Sequence, residues 1–182
     1  LLKEITLQKD FLVDETIETI YFGGGTPSLL SIEDLHAILS TLNKNFKVTD
    51  DAEITFEANP DDITEEKLIE WKKAGITRLS IGVQSFFEED LKWMNRAHNA
   101  GQAILSLHLA IKYFDNITID LIYGLPDLTN KKWKHNVDTA ISLGIPHLSC
   151  YALTVEPKTP LDKMIKLNQS NDINPDKQSE QF

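Results

Sequence analysis

The chain has 182 residues, of which 41% are hydrophobic and 25% charged, as expected of one globular domain with a sizeable core. Its 28 acidic and 18 basic side chains give a formal charge of −10. This charge argues against nucleic acid or an anionic membrane as a principal partner, and no apolar stretch is long enough to predict membrane insertion.

Hydrophobic periodicity predicts five strands that alternate with helices along the chain. The predicted strands are Ile17–Phe22, Glu53–Glu57, Arg78–Gln84, Ile117–Tyr123 and His147–Leu153. The predicted helices lie at 1–12, after Ser31, between Thr64 and Gly75, near Glu88–Met94, at 100–114, and between Thr129 and Gly144. Ser31, Thr64 and Thr129 are predicted N-caps, and Asn99 with Gln102 predicts a capping box.

This alternation predicts an α/β fold with a parallel sheet and crossover helices. The pattern alone is compatible with an open doubly wound sheet and with a barrel. We assign residues 1–165 to this domain and predict that 166–182, which are polar and irregular in sequence, form a weakly ordered tail.

The first strand runs into three consecutive glycines, Gly23–Gly25, which Thr26 and Pro27 follow. Glycines leave backbone amides uncovered, and such a turn can bind a ligand's ammonium through carbonyls or an anion through amides. A Walker loop needs a lysine that is absent here, and a dinucleotide fingerprint needs a glycine where Ser28 stands. A sharp turn without a ligand is the alternative.

Polar residues stand at the carboxyl ends of the other strands. Glu57 ends the second strand, Gln84 ends the third, and Asp120 lies between two apolar residues of the fourth. These ends meet at one edge of a parallel sheet, where active sites form. A carboxylate inside an apolar strand is costly unless it is paired, so the three residues predict one shared polar pocket.

The alternative is that each of these groups serves the fold. Glu57 could cap the turn at Asn59, and Asp120 could pair with Arg78 or Arg96.

The cysteine and the histidines carry little functional signal. The single cysteine, Cys150, excludes an internal disulfide and a cysteine metal cluster built within this chain; it predicts a reducing, cytoplasmic setting and a place in the core. The five histidines show no paired metal-ligand spacing, and a residue such as His98 is typical of a solvated loop.

Six ordered motifs resemble the radical S-adenosylmethionine (SAM) proteins of the oxygen-independent coproporphyrinogen III oxidase family. They are Gly-Gly-Gly-Thr-Pro-Ser (23–28), Glu-Ala-Asn-Pro (57–60), Ser-Ile-Gly-Val-Gln-Ser-Phe (80–86), Arg-x-His (96–98), Ile-Asp-Leu-Ile-Tyr-Gly-Leu-Pro (119–126) and Tyr-Ala-Leu-Thr-Val-Glu-Pro (151–157). The resemblance covers about residues 17–161. Ser28-Leu29, Asn59-Pro60 and Gln84-Ser85-Phe86 favour its heme chaperone branch over its oxidase branch.

The resemblance implies a partial (β/α)6 barrel that holds SAM across the strand ends. The positions that match the family's SAM contacts are Gly24, Gly25, Thr26, Glu57, Gln84, Arg96 and Asp120. No catalytic residue or metal ligand is assigned. The family's Cys-x-x-x-Cys-x-x-Cys motif has no match in this sequence, so we expect neither a 4Fe-4S cluster nor reductive SAM cleavage from this chain alone.

We therefore expect a piece of a longer radical SAM protein that binds SAM and a 4Fe-4S cluster when intact and acts in heme binding and transfer. One alternative is an oxygen-independent coproporphyrinogen III oxidase of heme biosynthesis; another is an unrelated parallel α/β module that binds a small molecule. The expected partners are SAM and heme or coproporphyrinogen III. The edge of strand Ile17–Phe22 also invites self-association.

Overall fold

The computed structural model of the protein describes residues 1–12 and 15–182. Its five strands form one parallel sheet in the order β1-β2-β3-β4-β5, and the sheet curls into part of a barrel with helices outside, which confirms the predicted fold class. The strands are β1 Thr16–Phe22, β2 Lys47–Ala58, β3 Arg78–Gln84, β4 Ile117–Tyr123 and β5 His147–Ala152. The helices are α1 Leu2–Leu7, α2 Ile32–Asn45, α3 Glu65–Ala74, α4 Glu88–Trp93, α5 Ala100–Ala110, α6 Asn130–Ser142, α7 Pro160–Lys166 and α8 Pro175–Gln181.

The helices begin where the sequence predicts caps. Ser31, Thr64 and Thr129 each accept a hydrogen bond from the backbone N–H three residues on, which satisfies one of the free donors at a helix start. Asn99 and Gln102 form the predicted capping box. Within the described ranges, no helix is both long and apolar enough to cross a membrane.

Three elements differ clearly in length from their predictions, and one of them is α5, which ends at Ala110 rather than at residue 114. α1 ends at Leu7 rather than near residue 12, and none of its residues is buried, so little packing stabilises a longer helix. β2 begins at Lys47 rather than at Glu53, and a register shift against β1 interrupts its pairing. The polar residues that open β2 hide this part of the strand from a periodicity argument.

The two faces of the sheet differ sharply in polarity, because successive side chains of a strand point to opposite sides. The helix-facing side is apolar and fully buried at Phe56, Leu79, Ile81, Ile117, Ile119 and Leu121. The concave side carries a row of paired polar residues: Glu57, Ser80, Thr118 and His147. The hydrophobic core therefore lies between sheet and helices, and the barrel interior is polar.

Arg78 organises the polar interior near the amino ends of the strands. Its guanidinium donates to Glu53 Oε1 at 3.1 Å and to Thr118 Oγ1 at 2.5 Å, and it lies 3.1 Å from His147 Nδ1. These contacts commit Arg78 to Glu53 rather than to Asp120, so the structure does not support one of the pairings considered above.

One helix, α8, forms within residues 166–182, where the sequence predicts a polar, weakly ordered tail. α8 docks through Gln181, which is 6% exposed, accepts a hydrogen bond from Gly124 N at 2.8 Å, and donates one to Leu128 O at 2.9 Å. Hydrogen bonds between polar side chains and the backbone of distant residues hold this helix in place. A helix held in this way shows no apolar periodicity in its sequence, so the sequence did not predict it. The domain boundary at residue 165 stays a prediction.

Cys150 is exposed, and the prediction that it lies in the core is wrong. It pairs in register with Leu121 of β4, which is fully buried, so both residues lie on the helix-facing side of the sheet. β5 is one of the two edge strands of the described sheet, and its residues are more exposed to solvent than those of β4.

Candidate functional site

A polar cleft of about 200 Å³ opens at the carboxyl ends of β1 to β4. Six of the seven residues that the sequence singles out line it: Gly25, Thr26, Glu57, Gln84, Arg96 and Asp120. The seventh, Gly24, reaches the cleft through its backbone N–H, which donates to Glu57 Oε2 at 3.2 Å. The structure thus places all seven residues at one cleft.

The glycine loop after β1 has a conformation that favours glycine. Gly24 and Gly25 have φ angles of 74° and 62°, and a Cβ at either position would have no atom of the described residues within 4 Å. The backbone here is therefore open to the cleft, and a larger residue would be strained by its φ angle rather than by its neighbours.

Ser28 anchors this loop to the next βα unit, a role that the sequence did not reveal. Its buried hydroxyl donates to Asp62 Oδ2 at 2.6 Å, and its carbonyl accepts from Lys67 Nζ at 3.1 Å. Ser28 served in the sequence analysis only as a departure from a dinucleotide motif and as part of the family resemblance. Its partners lie more than 30 residues away, which no local pattern shows.

Glu57 is held in one orientation by two hydrogen bonds. Tyr21 donates its hydroxyl to Oε1 at 2.8 Å, and Gly24 N–H donates to Oε2. Burial, together with this bond to Glu57, raises the pKa of Tyr21 and keeps it a donor. Glu57 thus links β1, β2 and the glycine loop, and these bonds differ from the proposed cap of the turn at Asn59.

Asp120 differs from the other charged residues of the cleft because its carboxylate has no hydrogen bond or ion pair with the described residues, although it is largely surrounded by protein. Burial raises the pKa of Asp120 to about 6; the negative charge of Glu57 adds to this, and the charges of Arg78, Arg96 and His147 oppose it. An ionisable group kept in a cleft without compensation is typical of a ligand site.

Gln84 and Arg96 both line the cleft, next to the space above Gly82. Gln84 ends β3 with a φ of 67°, an uncommon conformation for a residue with a side chain, and Arg96 donates from Nη2 to Asn59 Oδ1 at 3.1 Å. A Cβ at Gly82 would lie 2.9 Å from Gln84 Nε2 and 3.5 Å from Arg96 Nη2. Glycine at position 82 therefore leaves room for these two side chains.

A buried polar network fixes the chain just after Gln84. Asn136 on α6 is fully buried and accepts from Phe86 N at 2.9 Å, while Ser85 donates its hydroxyl to Asp90 Oδ2 at 2.8 Å. Burial raises the pKa of Asp90. Because a buried N–H without a partner is costly, this network specifies the exit of β3 and with it the position of Gln84. The sequence analysis missed all of it.

His98 is buried, at 3% exposed, and not solvated as its loop position had indicated. Its Nε2 lies 3.1 Å from the carbonyl oxygen of Val83 on β3. The pKa of His98 is lowered, chiefly by burial. The only feature of the sequence that pointed to a role for His98 at the cleft was its position two residues after Arg96.

An apolar groove of about 560 Å³ adjoins the cleft at Arg96. Its apolar walls are Trp93, Met94, Ile122, Leu153, Leu161 and Met164. The sequence did not predict it, because its residues come from four separate segments.

The cleft's own chemistry suits a small ligand that carries more positive than negative charge. Its lining holds two carboxylates, Glu57 and Asp120, and one guanidinium, Arg96, for a formal charge of −1. A carboxylate attracts ammonium, sulfonium or hydroxyl groups, and a guanidinium binds a carboxylate. Within the described residues no group of three or more His, Cys, Asp or Glu side chains could hold a metal ion.

Comparisons with known proteins agree with this geometry. The family model described as the radical SAM superfamily matches residues 2–140. The chain is 43% identical over 145 residues to a protein named heme chaperone HemW from Bacillus subtilis, covering 79% of this chain and 38% of that protein. It is 36% identical to the protein of the same name from Buchnera aphidicola, covering 96% of this chain and 46% of the relative.

Among solved structures, the chain is similar to coproporphyrinogen III oxidase from Escherichia coli, described as a radical SAM enzyme. The TM-score is 0.83 at 26% sequence identity, covering 98% of this chain and 41% of the enzyme. The chain therefore spans less than half the length of each of these relatives.

Proposed function

The chain belongs to the radical SAM superfamily, and from that premise we propose that its cleft binds S-adenosylmethionine. The observation that carries this proposal is the carboxylate of Asp120, which lies unpaired among the described residues in a cleft that also holds Glu57 and Arg96. SAM carries a sulfonium, an ammonium and a carboxylate, for a net charge of +1. It complements a lining of two carboxylates and one guanidinium.

The roles follow from the groups that each residue presents. Gly24, Gly25 and Thr26 offer backbone and hydroxyl oxygens to the methionine amino group. Arg96 pairs with the ligand's carboxylate, while Gln84 and Asp120 accept hydrogen bonds from ribose or amino groups. Glu57 needs no rearrangement to accept further bonds, because Tyr21 and Gly24 already fix its orientation.

A 4Fe-4S cluster does not fit the side chains of this chain. The sequence has one cysteine, Cys150, and it lies exposed on β5, whereas a cluster is held by several thiolates. We propose that the whole protein supplies the cluster ligands from other residues and thereby the reductive cleavage of SAM. The residues described here bind and orient SAM only.

For the whole protein we propose heme binding and transfer in the cytoplasm. The support is the similarity to proteins named heme chaperone HemW, at 43% and 36% identity. The apolar groove beside Arg96 adds to it, because a flat tetrapyrrole with carboxylate side chains suits an apolar surface that ends in a guanidinium. Coproporphyrinogen III oxidation is the second candidate, favoured by the TM-score of 0.83 to the Escherichia coli enzyme.

The test of SAM binding is a calorimetric titration of the chain and of two cleft variants. A charge-assisted hydrogen bond contributes about 1.5–3 kcal/mol, so Glu57→Gln and Asp120→Asn should each weaken SAM binding by about ten- to a hundredfold. Asp51→Asn, which removes an exposed carboxylate from the same strand as Glu57, is the matched control and should bind like the wild type. Unchanged affinity in both cleft variants would refute the assignment of the site.

A second measurement separates the two candidate functions of the whole protein. The heme chaperone should bind heme, followed by absorbance, and should leave coproporphyrinogen III unchanged in a product assay. Decarboxylation of coproporphyrinogen III by the wild-type protein, lost in Asp120→Asn, would establish the oxidase instead.

A further inference from the structure

His98 connects two segments that line the cleft: the end of β3, which carries Gln84, and the loop that carries Arg96. It stands two residues after Arg96, and its Nε2 reaches the carbonyl oxygen of Val83, the residue before Gln84, at 3.1 Å. The imidazole is almost fully enclosed, with 1% of its side chain exposed. One buried side chain thus joins the loop that carries Arg96 to the strand end that carries Gln84.

The two ring nitrogens of His98 face two acceptors. Because the Val83 carbonyl can only accept, Nε2 carries the proton, and Nδ1 of the neutral ring is then an acceptor. Among the described residues the buried Nδ1 has no hydrogen-bond partner, and it faces Asp61 Oδ1 at 3.8 Å. A ring that donates from both nitrogens is an imidazolium. The surroundings of His98 can therefore accommodate a second proton, on Nδ1, which the neutral ring of the ligand-free protein lacks.

We propose that His98 is a positioning residue that holds Arg96 and Gln84 in the geometry that binds SAM, and that it takes up a proton when a carboxylate binds to Arg96. The proposal rests on SAM as the ligand of the cleft. His98 contacts no ligand itself; it acts through the backbone of Val83 and through the loop that it shares with Arg96.

The charges that face His98 explain the coupling. Burial is the main cause that lowers the pKa of His98, and the guanidinium of Arg96 lowers it further, while the Val83 carbonyl and the Asp61 carboxylate raise it. A ligand carboxylate on Arg96 offsets the guanidinium charge and leaves Asp61 as the dominant charge near the ring. The imidazolium then pairs with Asp61 and closes the turn after β2 onto the loop of Arg96.

Two substitutions separate positioning from packing. His98→Gln places an amide N–H near the position of Nε2 and keeps the bond to Val83, whereas His98→Ala removes it. A lost hydrogen bond of about 1–1.5 kcal/mol corresponds to about tenfold weaker SAM binding in His98→Ala. His98→Gln should bind SAM within about threefold of the wild type, because it lacks only the proton-dependent pairing with Asp61. His36→Gln, at an exposed histidine on α2, is the matched control and should change neither affinity nor proton uptake.

Calorimetry in two buffers of different ionisation enthalpy measures the protons exchanged on SAM binding. The wild type should take up more protons than His98→Gln near neutral pH. Asp120 contributes with the opposite sign, since a bound sulfonium favours its ionised form and releases a proton. The difference between wild type and His98→Gln therefore isolates the histidine, and identical proton exchange in the two proteins would overturn the coupling.

A ligand-free measurement keeps this proposal separate from SAM binding itself. The side-chain NMR signals of Gln84 and Arg96 should shift in His98→Ala and return towards the wild-type positions in His98→Gln. If wild type fails to bind SAM, the proposed function falls, and these signals still test the positioning role. Unshifted signals in a folded His98→Ala protein would refute it.

Discussion

Replacing Asp120 with asparagine should stabilise the chain while weakening its affinity for SAM. The carboxylate lies in a partly buried place, and within the described residues it has no hydrogen bond or ion pair to compensate its charge. Asparagine keeps the shape and removes the charge. The gain in stability and the loss of affinity have the same cause, the negative charge of this carboxylate, which lacks a partner among the described residues. Such a charge destabilises the folded protein but attracts the ligand, which is the usual trade-off between stability and activity.

The pKa of Asp120 sets the size and the sign of the effect. It rises from 3.8 to about 6 on folding, a difference of about two pH units, which corresponds to about 3 kcal/mol at most. Because part of the side chain remains exposed, we expect about 1–2 kcal/mol. The folded state holds the proton more tightly than the unfolded state, so the ionised carboxyl costs stability fully above about pH 6, and the cost fades below about pH 4.

Urea unfolding of the wild type and of Asp120→Asn between about pH 4 and about pH 8 measures this cost. The gain in unfolding free energy should be small at the acidic end, rise through the interval between the two pKa values, and level off above. Asp51→Asn, at an exposed carboxyl of β2, controls for the loss of one negative charge from an acidic chain. A variant less stable than the wild type at about pH 8, or a gain independent of pH, would contradict the reasoning.

Three further predictions concern the cleft, the cluster and the sheet edge. Gly82→Ala should abolish or strongly weaken SAM binding in calorimetry with little change in the melting temperature, because its Cβ would lie 2.9 Å from Gln84 Nε2 and push that flexible side chain into the cleft. Anaerobic reconstitution of the chain with iron and sulfide should give no visible charge-transfer absorption, since one cysteine cannot supply a cluster; a stoichiometric cluster would show that other ligands had been overlooked. The edge of β1, Thr16–Phe22, should support self-association of the chain at high concentration in light scattering, and a clean monomer would count against this.

The sequence predicted those parts of the fold whose signals are local. β3 and β4 have the predicted bounds because every second residue of each strand is apolar and packs on the helix-facing side of the sheet, and this alternation is a local signal. The cleft could be predicted because Glu57 and Asp120 each place a carboxylate between two apolar residues, at or beyond the middle of a strand. Parallel strands then bring these carboxylates to the same edge whatever the details of packing.

The features that escaped prediction depend on partners far away in the sequence. His98 reads as a loop residue until Val83 is placed beside it, and Asn136 reads as a surface position of an amphipathic helix until Phe86 is placed against it. Cys150 shows the opposite error. Its strand is apolar, but burial depends on what covers an edge strand, which a strand's own residues do not determine.

The order of the strands along the sheet matches their order along the chain, and this has a consequence for folding kinetics. In the described sheet each strand pairs with the one that precedes it, so every β-pairing closes one crossover connection and no described strand inserts between two others. Such a sheet can grow one βα unit at a time, in the direction in which the chain is synthesised. Native-state hydrogen exchange should accordingly show the slowest amides in β3 and β4 and faster opening towards both edges.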